Sequence, residues 1–103
     1  MIDIVDWITK HVSDLRRTAP WKNAVSVKAP EQQGAGYVID VDGAHVVGQF
    51  IVWTTGAMEA TAGAVANGQV SYLDAASSVD EATLNERWRD FCAEILRIEE
   101  QGT

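Results

Sequence analysis

The chain has 103 residues, 47% of them hydrophobic and 22% charged, a balance that excludes a disordered polymer and leaves room for one modest core. Its formal net charge is −7, and its single cysteine, Cys92, excludes an internal disulfide and suits a reducing compartment. From Glu31 to Glu86 there are eight acids and no Lys or Arg, which disfavours nucleic acid or an anionic membrane as a partner and would attract a basic protein; the same acidity also serves plain solubility.

The first residues, Met1 to Asp6, are acidic where a secretory signal would carry Lys or Arg. No apolar run reaches membrane-spanning length, and the longest, Val46 to Trp53, is broken by Gly48 and Gln49. Retention in the cytoplasm is expected.

Ile4, Ile8, Val12 and Leu15 recur at helical spacing and predict a helix over about 2–17, with Trp7 and His11 on the neighbouring edge. Asp3 and Asp6 stand at its positive end and Arg16 and Arg17 at its negative end; Thr18-Ala19-Pro20 stops it. Strands and tight turns follow, over about 23–28, 36–41, 45–54, 58–65 and 69–73, with reversals at Asp42-Gly43, Thr55-Gly56 and Asn67-Gly68. Reversals this close together require antiparallel neighbours. Ser78 and Glu81 have capping-box spacing ahead of a second helix over about 79–100, whose apolar stripe runs through Leu84, Trp88, Phe91, Cys92, Ile95 and Ile98. Gly102 and Thr103 are expected to fray. The order α-β-β-β-β-β-α predicts one α+β domain over 1–103: two layers, a five-stranded antiparallel meander with both terminal helices on one face.

Two-residue turns at Asp42-Gly43 and Thr55-Gly56 would set Ile39 opposite Val46, Trp53 opposite Met58 and Ile51 opposite Ala60. The helices would then cover Val38, Val47, Ile51, Trp53, Met58, Ala60 and Ala62. Tyr37, Ile39, Val41, Val46, Phe50, Val52, Glu59 and Thr61 would form an open face, too apolar to be without purpose. A slip of one residue, or a loop laid over it, would bury that face instead. On the first reading Tyr37, Asp42, Phe50, Val52, Glu59, Thr61 and Asp74 are the candidate partner-binding residues, and joint replacement of Phe50 and Glu59 should weaken binding without unfolding.

Catalytic chemistry finds little footing. His11 and His45 fall on different elements, and Cys92 has neither a Cys partner nor a place off the apolar stripe. Asp40 and His45, across a hairpin, more often make a surface hydrogen bond than a ligand set. Ser77 and Ser78 fit a helix start, and the glycines mark turns without forming a phosphate-cradling loop. Core packing accounts for at least three of Trp7, Trp21, Trp53 and Trp88. The chain is therefore expected to be a binding protein, not an enzyme, with no cofactor and no metal.

The run Val46 to Gly56, with its Val52-Trp53-x-x-Gly56 hairpin, the Ser-x-x-Glu start before Leu84, and Trp7-Ile8 in the first helix together resemble the TriTu group of bacterial immunity proteins. The resemblance spans nearly the whole chain; Met58 to Ala66, rich in alanine and poor in acids, departs from it. It implies a cognate antidote encoded beside a polymorphic toxin, whose ADP-ribosyltransferase domain modifies the translation factor EF-Tu and is delivered by contact-dependent secretion such as a type VI system. Such an antidote binds the toxin domain and obstructs its active site. No residue-level binding motif carries over.

The rival reading is an acidic secretion chaperone or adaptor, which would dimerise and leave its effector active. A third, a small enzyme or ligand-binding domain, would need a concave pocket that a flat sheet with two helices offers poorly.

Overall fold

The structure, a computed structural model, describes residues 3–18, 25–32 and 34–101. Helix α1 spans Ile4–Thr18, strands β1 Val25–Lys28, β2 Tyr37–Asp42, β3 Val46–Val52, β4 Met58–Ala64 and β5 Val70–Ala76, and helix α2 Glu81–Gln101. The strands form one antiparallel sheet in chain order, and the expected α+β meander with a helix at each end is what the chain adopts. Several expectations lie outside the described residues: the start of the first helix at Ile2, its stop at Ala19 and Pro20, Trp21, the start of the first strand at 23–24, and the fraying of Gly102 and Thr103.

Asp3 begins α1 by accepting the Asp6 amide on Oδ1 at 3.1 Å and the Trp7 amide on its carbonyl at 2.9 Å. Ile4, Trp7, Ile8, Val12 and Leu15 then point inward, so one stripe of the helix is buried. At the far end Arg16 donates to the Val25 carbonyl at 2.7 Å and ties α1 to β1. The second helix starts from Asp80 and not from Ser78: Asp80 Oδ1 accepts the Thr83 amide at 2.8 Å, and its carbonyl accepts the Leu84 amide at 2.9 Å. A carboxylate two residues further on does the capping that the Ser-x-x-Glu spacing suggested. Leu84, Trp88, Phe91, Ile95 and Ile98 form the buried stripe of α2.

The hairpins decide which side of the sheet the helices cover. Between β2 and β3 the last pair is Asp42 with Val47, and Gly43 donates to the Val46 carbonyl at 2.9 Å. Ile39 therefore faces Phe50 rather than Val46, an even shift that leaves each side chain on its expected side relative to its neighbours. Between β3 and β4 the shift is odd. Trp53 donates to the Ala57 carbonyl at 3.0 Å and Gly56 to the Trp53 carbonyl at 2.9 Å, with Gly56 at φ +92. This is a three-residue loop, Thr54-Thr55-Gly56, closed by a left-handed glycine, where a two-residue turn was expected. The extra residue sets Val52 opposite Met58 and Phe50 opposite Ala60.

That single residue overturns the expected faces. Ile39, Val41, Val46, Phe50 and Val52 join Met58, Ala60 and Ala62 under the helices, all essentially solvent-free. Val38, Val47 and Ile51, expected under the helices, turn to the other side. Phe50 sits at the centre, its ring 6.0 Å from Trp7, 5.1 Å from Trp88 and 5.4 Å from Phe91. Gly48 lets α2 approach, because a Cβ there would lie 3.0 Å from Ile95 and 3.1 Å from Phe91. Aromatic burial of this kind contributes about 1.5–3 kcal/mol per side chain, and it explains why the helix layer settles on this side.

Candidate interaction face

The open side of the sheet presents alternate residues of five strands: Ser26 and Lys28, Val38 to Asp42, Val47 to Ile51, Glu59 and Thr61, and Leu73 and Ala75. Asp42, Val47, Gln49, Glu59, Leu73 and Ala75 are exposed, while Val38, Asp40, Ile51 and Thr61 are half-buried by their neighbours. Gln49 Nε2 donates to Asp40 Oδ1 at 3.2 Å across the ladder. A shallow open concavity of about 530 Å³ lies over β1 to β4 and the Gly68 turn, between Lys28, Asp40, Asp42, Gln49, Thr61 and Gln69.

One end of this side is closed. Trp53 lies across Gly36, where a Cβ would come within 2.9 Å of the indole, and its Nε1 donates to the Gly34 carbonyl at 3.2 Å. At the opposite end Asp42 and Val47 are exposed. Gly63 belongs to a register break in β4–β5 and packs against the Gln69 backbone, which turns the Asn67-Gly68 loop toward the concavity.

The residues proposed from sequence divide accordingly. Asp42, Glu59 and Thr61 stand on the open side. Phe50 and Val52 do not: both are core residues with no exposed surface, so neither can meet a partner. Tyr37 is half-buried on the helix side against the core. Asp74 also faces the helices, and Arg87 of α2 donates to its Oδ1 at 2.6 Å. Sequence reasoning missed Asp40, Val47, Gln49 and Leu73, which occupy the open side in place of the buried residues. The signal that would have found them is the Thr-Thr-Gly loop, since a glycine third in a hairpin loop fixes the odd register.

His11, Cys92 and Glu99 lie on the helices, away from the open side. His11 rests against Trp7, with ring centroids 4.4 Å apart, and burial first, then Lys10, lowers its pKa from 6.5. The Cys92 thiol is pushed up to about 12 by burial, leaving it almost wholly protonated and unreactive at neutral pH. Glu99, buried near the end of α2, accepts the His45 amide at 2.5 Å and fastens the β2–β3 turn. Among the described residues no three His, Cys, Asp or Glu side chains come together as a metal site, and no helix is long and apolar enough to cross a membrane.

What the open side offers is a preformed surface that mixes apolar contact area with negative charge, a chemistry of recognition. No curated protein and no solved structure matches the chain. The family model described as immunity protein TriTu matches residues 3–94, which takes in α1, all five strands and the greater part of α2. On that match the chain belongs to the TriTu family of immunity proteins.

Proposed function

We propose that this immunity protein lays the open side of its sheet on a cognate toxin domain, an ADP-ribosyltransferase, and neutralises it by covering the active site. The 103 residues act as one binding domain in the cytoplasm of the producing cell, one antidote per toxin, with no chemistry of their own. The toxin in this reading is one arm of a polymorphic system delivered by contact-dependent secretion of the type VI kind.

The observation that carries the reading is the pairing of Asp40, Asp42 and Glu59 with Val47, Ile51 and Leu73 on the open side of the sheet. An enzyme that binds a dinucleotide pyrophosphate presents cations at its active site, and carboxylates on a rigid sheet are steered to such a surface quickly. The apolar residues supply the contact that water exclusion stabilises once the surfaces meet.

The test uses the purified ADP-ribosyltransferase domain encoded next to this chain. The unmodified protein should bind it, abolish its transferase activity at equal stoichiometry and compete with NAD. Joint Asp40→Lys and Asp42→Lys replacement should slow association and weaken binding at least about tenfold, most at low salt. An unchanged affinity in this variant removes the open side from consideration.

A further inference from the structure

The sheet has two edges, and they are treated differently. At one edge β1 is four residues long, ends at Lys28, is followed by Pro30, and has its Val25 carbonyl taken by Arg16 at 2.7 Å. Lysine, proline and a capped backbone group are the devices by which sheets refuse further strands. At the other edge β5 runs for seven residues, Val70 to Ala76, with no Lys, Arg or Pro. Its one charge, Asp74, is turned to the helix side and held by Arg87. Leu73 is 71% exposed and Val70 64%. Among the described residues no hydrogen bond reaches the outer backbone of this strand. A bare edge of this length ordinarily invites pairing.

We propose that the outer edge of β5 receives an extended strand of the toxin domain, continuing the sheet as a sixth strand, with an apolar residue beside Leu73 and a Lys or Arg beside Ala75. This rests on the toxin-binding reading above and names how the toxin is gripped. The cation follows from the register. Ala75 pairs with Glu59 of β4, so Glu59 lies two strand spacings, about 10 Å, from an incoming strand. Between them stands only the methyl group of Ala75. A long basic side chain opposite Ala75 crosses that gap and meets the exposed Glu59 carboxylate, while an apolar neighbour opposite Leu73 covers it.

A second copy of this chain fits the edge less well. The sequence of β5, Val-Ser-Tyr-Leu-Asp-Ala-Ala, holds no cation to offer Glu59, and two bodies of formal charge −7 repel.

The experiment compares unmodified protein with Ala75→Lys and Leu73→Ser against the purified toxin domain, with thermal unfolding and backbone amide exchange measured in parallel. Ala75→Lys guards the edge and gives Glu59 an internal partner, so binding should fall at least about tenfold while the thermal midpoint holds. The alternate amides of Val70 to Ala76 that point away from β4 should exchange rapidly in the free protein and become protected in the complex; this readout needs no variant and stands even where Ala75→Lys folds poorly. Full binding by both variants, with β5 amides still exchanging in the complex, overturns the edge and leaves the open side as the binding surface. Failure of the unmodified protein to bind overturns both proposals. A dimer whose outward-pointing β5 amides are protected without toxin assigns the edge to a second copy and overturns this one.

Discussion

The indole Nε1 of Trp7 donates to Asn85 Oδ1 at 2.8 Å, joining α1 to α2 across 78 residues of sequence. Trp7 is only 3% exposed, so its N–H has no water to fall back on. The bond also fixes the angle at which the indole meets Trp88, 5.7 Å away and edge-on, and Phe50 beneath. Replacing Asn85 by Ala should cost about 1–3 kcal/mol in urea unfolding, the range for a buried donor left without a partner. Trp7→Phe removes the donor, and in the double variant the two losses should fall short of additive, since each single change already breaks the bond.

Phe50 and Val47 lie on the same strand, three residues apart, and should behave oppositely. Phe50 has no exposed surface and touches three aromatic rings, so Phe50→Ala should cost about 3–5 kcal/mol, a large share of the stability of so small a domain. Val47 is 44% exposed on the open side, and Val47→Ala should change stability by no more than about 0.5 kcal/mol. Toxin binding should show the reverse specificity: Val47→Ala weakens it in a fully folded protein, whereas any loss with Phe50→Ala accompanies unfolding. Denaturant titration beside a binding measurement separates the two.

Gly63 should tolerate no side chain. A Cβ there would stand 2.2 Å from the Gln69 carbonyl oxygen, a backbone atom that cannot swing aside as a side chain could. Gly63→Ala must open the register break or move the Asn67-Gly68 turn, at about 1–3 kcal/mol. Ala64, the next residue on the same strand, is a fair contrast: it is half-buried beside the core, and Ala64→Gly should cost about 1 kcal/mol or less. Equal losses at both positions would show that the close approach at Gly63 carries no strain penalty of its own.

The sequence made the elements legible because their signals are local. Ile4, Ile8, Val12 and Leu15 repeat at helical period, and Gly56 and Gly68 mark reversals where φ is positive. Which side of the sheet is covered depends on one residue in one loop. Thr54-Thr55-Gly56 reads as two residues or three, and the choice moves Phe50 and Val52 from surface to core. The β-branched and aromatic residues gave no arbitration, since Val38, Val47 and Ile51 are as apolar as Ile39, Val41 and Val46. Glu59 and Thr61 kept their place on the open side and Asp42, expected as a turn residue, joins them from the end of β2, whereas Asp74 was lost because its partner, Arg87, lies in a helix whose docking no local pattern specifies.

His11 should make stability fall in mild acid. Its ring lies against Trp7 and edge-on to Trp88, and burial is the largest influence on its pKa, followed by Lys10; both lower it, against smaller upward contributions from Asp14, a hydrogen bond with Asn85, and Glu81. The folded protein therefore favours the neutral ring. Between the lowered folded value and 6.5 the unfolded chain binds more protons, so stability is complete above 6.5 and declines as pH falls through that window. His11→Gln should flatten the urea midpoint between about pH 7.5 and about pH 5.5, before the carboxylates begin to titrate. Asn85→Ala, by removing an upward contribution, should push the His11 midpoint lower still in a ring-proton titration by NMR. An equal pH slope in the unmodified and Gln proteins would assign the acid sensitivity to other groups and leave the contacts of His11 with Trp7 and Trp88 without a part in it.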